Sequence, residues 1–218
     1  RVRRTQRVRE TRPIMTRALL LDLGNVVLQI DFRRTFKYWA EQANVEASQL
    51  HERWELDAAY EQHEIGAIDF ATYVQALGER LSISLPMHPW LQGWNALFVG
   101  PYPRVQERLP SVSQQIPLFA FTNTNPTHHA AWSERYPEAF RHFRNVYVSC
   151  DIGRRKPYVG AYRHVAADRG YLPSEIVFVD DSEENVAGAL EAGMDARWVR
   201  SEADVVKVLE EVTGATGG

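Results

Sequence analysis

A run of four apolar residues that ends in an acid constrains the fold of this chain most. Ala18–Leu21 leads directly into Asp22, and the turn-forming pair Gly24-Asn25 follows two residues later. A short apolar run bounded by turn residues is typical of a strand buried on both faces. A carboxylate is costly to bury, and the carboxyl edge of such strands is where open α/β sheets bind ligands. Asp22 is therefore a candidate site residue; alternatively, it only caps the following turn.

The spacing of apolar residues divides the rest of the chain into a helical part and an alternating part. From about 33 to 103 the apolar residues recur at helical spacing without a strand pattern, which predicts four helices that end near Phe98. A further helix over 104–115 is predicted to be interrupted at Pro110. Helices then alternate with predicted strands at 117–121, 145–148, 176–179 and 196–199.

This alternation predicts an α/β fold, a doubly wound parallel sheet with right-handed crossovers, into which an all-helical domain is inserted. The predicted domains are an α/β core of residues 17–32 and 104–213, a helical insert of residues 33–103, and a basic extension of residues 1–16. A stretch of 218 residues is long enough for such a core and insert.

The charge is distributed unevenly along the chain. Residues 1–17 contain seven arginines and one glutamate, a charge of +6, so the formal net charge of −3 leaves −9 for the remainder. An acidic body argues against nucleic acid as the main partner. We interpret the basic segment as a non-native or mis-started extension, since Met15 lies just before the first strand. A basic arm for nucleic acid or membrane and an organelle-targeting segment are the alternatives.

Cysteine content and hydropathy bear on location. Cys150 is the single cysteine of the chain, which excludes an internal disulfide and favours a reducing, cytoplasmic location. No apolar run is long enough to cross a bilayer, so no membrane partner is expected. The sequence leaves the oligomeric state open.

Three later segments place polar residues where Asp22 would need them. Thr122 and Asn123 end the second predicted strand of the core, where a hydroxyl, an amide and a helix start suit an anion. Lys156 follows the third strand, and Asp180-Asp181 ends the fourth. Adjacent carboxylates need a compensating cation, and oxygen ligands without clustered Cys or His favour Mg²⁺. Ordinary helix caps and a solvated basic loop are the alternatives; for Arg154 and Arg155, but not for Lys156, we prefer the solvated loop.

With these four segments the sequence resembles the haloacid dehalogenase superfamily of phosphotransferases, over roughly residues 17–200. The resemblance implies that Asp22 is the nucleophile and that residues 33–103 form a cap of the C1 type. It also implies phosphate contacts from Thr122, Asn123 and Lys156. The implied Mg²⁺ ligands are Asp22, the Gly24 carbonyl, Asp180 and Asp181.

Gly24 departs from the superfamily pattern, in which most phosphatases carry a second aspartate two residues after the nucleophile. A glycine cannot shuttle a proton, and loss of a positioned acid costs about 10²–10⁴ in rate. The motifs around Asp22, Thr122 and Lys156 resemble those of bacterial α-D-glucose-1-phosphate phosphatases, a subgroup with glycine at this position. A sugar 1-phosphate is chemically suitable, because its anomeric oxygen is a better leaving group than a primary alkoxide.

The resemblance implies a Mg²⁺-dependent phosphatase that acts on a small phosphorylated metabolite, most specifically a sugar phosphate, through an aspartyl-phosphate on Asp22. His63, Glu64 and Trp94 of the insert are candidate sugar contacts, although such residues on helices are more often structural. A hydrolytic 2-haloacid dehalogenase is the enzymatic alternative, against which the Asp180-Asp181 pair argues because that reaction needs no metal. A non-catalytic binding protein that retains the fold is the alternative from another class.

Overall fold

The structure, a computed structural model, describes residues 16–214, so the interpretation of residues 1–15 lies outside the described part of the chain. The strands are β1 (Ala18–Leu21), β2 (Leu28–Ile30), β3 (Phe98–Pro101), β4 (Leu118–Thr122), β5 (Asn145–Val148), β6 (Ile176–Asp180) and β7 (Asp195–Trp198). The first helices are α1 (Phe32–Ala43), α2 (Ala47–Arg53), α3 (Ala58–Glu64), α4 (Phe70–Leu81) and α5 (Met87–Asn95). The later helices are α6 (Pro103–Gln115), α7 (Pro126–Arg135), α8 (Ser149–Ile152), α9 (Val159–Asp168), α10 (Glu183–Ala192) and α11 (Glu202–Thr213). No helix within residues 16–214 has the length and apolarity needed to cross a membrane.

β1 is the central strand of a five-stranded parallel sheet with the order β5-β4-β1-β6-β7. Leu21 is in register with Ala120 of β4 and with Val179 of β6. The ends of these three strands therefore meet at one edge of the sheet. This is the edge to which Asp22 belongs, because it directly follows β1.

Helices cover both faces of this sheet, which confirms the predicted doubly wound α/β fold. Apolar residues of α6 and α11 pack on one face, among them Val105, Leu109, Val205 and Leu209. On the other face α9 and α10 contribute Tyr162, Val165 and Ala189. Both faces of β1 are thus shielded from water, which accounts for its uninterrupted apolar sequence.

Helices α1–α5 form the helical insert, which has an aromatic core of its own. Trp39 of α1 stacks on Trp94 of α5 at 6.0 Å between ring centroids, and Trp39 Nε1 donates to the carbonyl oxygen of Trp90. Side chains of α2 and α4 complete this core. The insert therefore has its own hydrophobic centre and reaches the sheet edge through its loops and helix ends.

Three local features differ from the sequence expectation. The insert has five helices where four were predicted, because the predicted second helix is divided into α2 and α3. The insert is not entirely helical: β3 pairs antiparallel with β2, where a loop and a helix to Phe98 were predicted. This pairing satisfies the backbone hydrogen bonds of the two segments that join the insert to the core, and three or four residues are too few to show a period. Helix α6 also continues through Pro110, because its apolar face stays packed on the sheet.

Candidate active site

Four chain segments place polar side chains at the carboxyl edge of the sheet. Asp22 follows β1, Thr122 ends β4, Asp180 ends β6, and Lys156 lies in the loop between α8 and α9. Lys156 Nζ donates to Asp22 Oδ1 at 2.7 Å and to Asp180 Oδ2 at 2.6 Å. All four side chains are buried. The structure thus brings the four segments together, because parallel strands end at a common edge.

The backbone of Lys156 is held in place by a side chain of the neighbouring strand end. Asn123 Oδ1 accepts from the Lys156 backbone nitrogen, and Asn123 Nδ2 donates to the Lys156 carbonyl oxygen, each at 2.9 Å. The Asn123 side chain is therefore engaged with the loop, and only its backbone amide is left for a ligand. The Lys156 ammonium also lies 5.5 Å from the ring centroid of Phe121 and 5.4 Å from that of Phe178. Burial opposes its charge, but Asp180 and Asp22 outweigh that effect and raise the pKa of Lys156.

Asp22, Asp180 and Asp181 each contribute a carboxylate oxygen, and these oxygens lie within 4.8 Å of one another. Burial raises the pKa of Asp22 to about 8, Lys156 opposes the rise, and the two other carboxylates add to it. Burial likewise raises the pKa of Asp181. Three carboxylates with one ammonium between them carry excess negative charge, which is the environment that a divalent cation neutralises.

Amide groups hold the two acids of the β6 end in position. Asn185 Nδ2 donates to both carboxylate oxygens of Asp180, which also accepts from the Ser182 backbone nitrogen at 2.8 Å. Asn25 Nδ2 donates to Asp181 Oδ2 at 3.0 Å. Asn25 adopts a φ of 53°, which turns the chain after β1 so that its amide faces β6. These hydrogen bonds leave the carboxylates oriented toward Asp22.

Gly24 lies in the same turn and lines the same cavity as Asp22. A Cβ atom at this position would lie 3.1 Å from Ile30 Cδ1 and 3.9 Å from Asp22 Oδ2. A side chain at residue 24 would therefore extend between the Asp22 carboxylate and the Ile30 side chain. In the turn as it stands, Gly24 has a backbone carbonyl but no acid to offer.

The carboxylates and Lys156 lie at one end of a cavity of about 130 Å³. Thr122 lines this cavity together with the backbone-bonded Asn123. Its other walls are largely apolar and come from the turn after β1, from β2 and β3, and from the first residues of α1 and the middle of α7. Tyr60 and His128 also reach the cavity. A ligand whose phosphoryl group lies at the polar end would therefore place the rest of the molecule between apolar walls.

Two of the three predicted sugar contacts are core residues of the insert, which corrects that prediction. Trp94 is fully buried, donates from Nε1 to Asn125 Oδ1 at 3.3 Å and stacks on His128 at 4.5 Å. His63 is 1% exposed and stacks on Tyr73 at 4.7 Å. Burial lowers the pKa of His63 to about 4, so the ring is neutral. Neither side chain lines the cavity, because the aromatic core of the insert takes them up.

Glu64, the third predicted contact, is paired with Arg155 instead of facing the cavity. Arg155 Nε donates to Glu64 Oε2 at 2.9 Å, and its Nη1 donates to Glu61. Both the Arg155 and Glu64 side chains are largely buried, at 11% and 5% exposure. The interpretation of Arg155 as a solvated loop residue was therefore wrong, whereas Arg154 is exposed as predicted. One-dimensional spacing gave no sign of this pair, whose members are 91 positions apart.

The insert also touches the core through its backbone beside the site. Ser149 Oγ, at the start of α8, donates to the Glu64 carbonyl oxygen at 2.6 Å and accepts from the Thr124 backbone nitrogen at 2.8 Å. Gly66 has a φ of +71°, and a Cβ atom there would lie 2.7 Å from the Cys150 carbonyl oxygen. The end of α3 can approach α8 this closely only because residue 66 is a glycine.

Comparison with known proteins decides the family. A family model described as haloacid dehalogenase-like hydrolase matches residues 16–193, which is most of the chain. This chain belongs to the haloacid dehalogenase-like hydrolase family. It is therefore a hydrolase by family, and the four segments at the sheet edge are those on which the sequence resemblance rested.

Several relatives share most of the length of this hydrolase. A D-ribitol-5-phosphate phosphatase from Bacteroides thetaiotaomicron is 21% identical over 195 residues, which are 87% of this chain and 95% of that protein. A haloacid dehalogenase family enzyme from the same organism, solved with magnesium and inorganic phosphate, has a TM-score of 0.73 and 24% identity over 85% of this chain and 94% of that one. An L-2-haloacid dehalogenase from Xanthobacter autotrophicus has a TM-score of 0.65 and 19% identity, covering 93% and 84% of the two chains. At these identities the solved structures establish the shared fold.

Proposed function

We propose that the protein is a Mg²⁺-dependent phosphatase that hydrolyses a small phosphorylated metabolite, most specifically a sugar phosphate, through an aspartyl-phosphate on Asp22. The cluster of Asp22, Asp180 and Asp181 oxygens within 4.8 Å, with Lys156 Nζ 2.7 Å from Asp22, carries this proposal. A nucleophilic carboxylate beside a lysine and two further acids is suited to phosphoryl transfer. The phosphatase relative from Bacteroides thetaiotaomicron gives independent support.

In the proposed reaction a carboxylate oxygen of Asp22 attacks phosphorus, and the bond from phosphorus to the ester oxygen breaks. The leaving alkoxide takes up a proton from a water molecule and departs as an alcohol. Lys156, the Thr122 hydroxyl and the backbone amide of Asn123 hold the charge that develops on the transferring group. Water then attacks the aspartyl-phosphate, which releases inorganic phosphate and regenerates the Asp22 carboxylate.

The excess negative charge of the acid cluster fits Mg²⁺, which Asp22, the Gly24 carbonyl, Asp180 and Asp181 would hold. When bound, the ion supplies positive charge that offsets the charges of the phosphate and of Asp22. The protein residues keep the remaining tasks: Asn25 and Asn185 orient the two β6 acids, and Asn123 orients Lys156.

Gly24 favours one kind of substrate and the named phosphatase relative favours another. Without an acid at residue 24, a leaving group that needs little protonation is favoured, and the anomeric oxygen of a sugar 1-phosphate is one. The named relative acts on D-ribitol 5-phosphate, whose leaving oxygen is a primary alkoxide. Comparing turnover of a hexose 1-phosphate with turnover of a pentitol 5-phosphate therefore separates the two.

A panel of sugar phosphates, polyol phosphates and nucleotides, assayed with Mg²⁺ and with EDTA, tests the proposal. We expect Mg²⁺-dependent phosphate release that EDTA abolishes and added Mg²⁺ restores. Asp22→Asn should lower kcat by about 10³ or more, because a neutral amide cannot form the acyl phosphate. Asp195→Asn, at the half-exposed start of β7, is the matched control and should keep wild-type turnover.

Three results would point elsewhere. Wild-type turnover of every ester by Asp22→Asn would reject Asp22 as the nucleophile. Halide release from a 2-haloacid in the presence of EDTA would establish the dehalogenase alternative. Tight binding of a phosphate ester without any turnover of the wild-type protein would establish a binding protein.

A further inference from the structure

The helical insert presents a single phenol to the cavity. Tyr60, Leu97 and Phe98 are the residues of 33–103 that line it, and all of this range lies in the described part of the chain. Leu97 and Phe98 offer only apolar surface from their side chains. Any side-chain hydrogen bond from the insert to a ligand at this cavity therefore involves the Tyr60 hydroxyl.

A carboxylate on the same helix face accompanies the Tyr60 phenol. Tyr60 and Glu64 lie four residues apart on α3, which places them on one face of the helix. Burial, followed by the charge of Glu64, raises the pKa of Tyr60 well above its usual value, so the phenol stays protonated. A protonated phenol is both a donor and an acceptor, so its oxygen has lone pairs that can accept a hydrogen bond from a ligand in the cavity.

The Glu64 carboxylate is held by the loop that carries Lys156. Arg155 Nε donates to Glu64 at 2.9 Å, and the next residue along the chain is Lys156, whose Nζ contacts Asp22. Glu64, on the same face of α3 as Tyr60, is thus paired with the residue that directly precedes Lys156. This largely buried ion pair consequently holds α3, which carries Tyr60, against the loop that carries Lys156.

We propose that Tyr60 is a specificity-determining residue whose phenolic oxygen accepts a hydrogen bond from a hydroxyl group of the leaving group, with Glu64 and Arg155 as positioning residues. The proposal rests on the phosphatase function proposed above and narrows its substrates to phosphate esters of hydroxylated alcohols. The other side chains that the insert contributes to the cavity wall are apolar, so the phenolic oxygen of Tyr60 is the acceptor that they leave to a hydroxyl of the ligand. A hydroxyl that is buried without a partner costs binding energy, so the phenol would favour ligands that place a donor opposite it.

Tyr60→Phe removes the oxygen and keeps the ring, so it tests the proposal directly. The measurement is kcat/KM for a hydroxylated ester, taken from the sugar and polyol phosphates of the panel, relative to kcat/KM for p-nitrophenyl phosphate, which has no alcohol hydroxyl. We expect this ratio to fall about tenfold, as the loss of one neutral hydrogen bond implies. The loss should appear mainly as a higher KM for the hydroxylated ester, since the contact is remote from the reacting phosphorus.

Tyr73→Phe is the matched control, because Tyr73 is a buried phenol of the same insert core that does not line the cavity. It should leave the ratio unchanged. Glu64→Leu should lower the ratio in the same direction, and combining it with Tyr60→Phe should add little, because both act on one contact. If Tyr60→Phe does not fold, Glu64→Leu alone decides the question.

A ratio that is unchanged in Tyr60→Phe would overturn the specificity role, whether kcat/KM stays the same for both esters or falls equally for both. A failure of the phosphatase proposal itself is recognised separately, by the absence of turnover in the wild type. In that case calorimetric binding of the hydroxylated ester and of p-nitrophenyl phosphate to wild type and Tyr60→Phe gives the same ratio without catalysis. Equal changes in the two affinities would then reject the role of Tyr60.

Discussion

Replacing Lys156 with methionine removes the ammonium from a cluster of three carboxylates while nearly keeping the volume of the side chain. Lys156 Nζ lies 2.7 Å from Asp22 Oδ1 and 2.6 Å from Asp180 Oδ2, and the side chains are 1%, 10% and 0% exposed in that order. An exposed ion pair contributes about 0–1 kcal/mol, whereas removing one partner of a buried pair costs about 3–5 kcal/mol. The burial of all three side chains selects the larger figure, so we expect the free energy of unfolding of Lys156→Met to fall by about 3–5 kcal/mol.

The assay is urea unfolding at neutral pH in EDTA, followed by circular dichroism. Lys207→Met is the matched control, because Lys207 is 76% exposed and lies 3.8 Å from Glu211; its free energy of unfolding should change by about 0.5 kcal/mol or less. Saturating Mg²⁺ should recover part of the loss in Lys156→Met, since a cation that binds only the folded state stabilises it. A loss below about 1 kcal/mol in EDTA would refute the reasoning, because it would mean that Lys156 is not needed to hold the carboxylates together.

Two further perturbations test His128, which lines the cavity, and the ion pair of Arg155 with Glu64. His128 Nε2 lies 3.0 Å from the Trp94 carbonyl oxygen, and burial lowers the pKa of His128 to about 3. Because the folded state excludes the proton that the unfolded chain binds near pH 6.5, stability is full above that pH and falls below it. We expect this residue to lower the free energy of unfolding by about 1.4 kcal/mol at pH 5.5. Between pH 7.5 and pH 5.5, the free energy of unfolding measured in urea should therefore fall by about 1.4 kcal/mol less in His128→Gln than in wild type. Equal losses in the two proteins would contradict the assignment. Arg155→Met should lower the free energy of unfolding by about 3 kcal/mol, because it leaves Glu64 buried without its main partner. Arg154→Met, one residue earlier and exposed, is the control and should change the free energy of unfolding by less than about 0.5 kcal/mol. Similar losses in the two arginine variants would show that the pair does not stabilise the fold.

The parts of the site that were predictable lie at the ends of strands. Asp22, Thr122 and Asp180 each follow or end an apolar run, and the parallel alternation of strands and helices requires those ends to share an edge. Lys156 belongs to the same set because the loop after β5 opens onto that edge. The residue types and their places at strand ends are therefore sufficient to predict that these side chains share one site.

The contacts between the insert and the core were not predictable in this way. Trp94, His63 and Glu64 have side chains that often bind sugars, but whether a helical residue faces a ligand or a neighbouring helix depends on how the helices pack. The structure uses Trp94 and His63 as core residues and pairs Glu64 with Arg155. Tyr60, which lines the cavity, occupies an equally ordinary helical position and gave no signal in the sequence.

By itself, the sequence determined the order of the five sheet strands in the chain, their alternation with helices, and the chemistry available at the sheet edge, because local periodicity and the residues that end each strand are properties of short segments. Tertiary structure alone decided which oxygens approach Lys156, which side of α3 meets the cavity, and that β2 and β3 join the insert to the core as a pair of strands. Those features depend on contacts between segments tens of residues apart, and such contacts form only when the hydrophobic faces of the elements pack together.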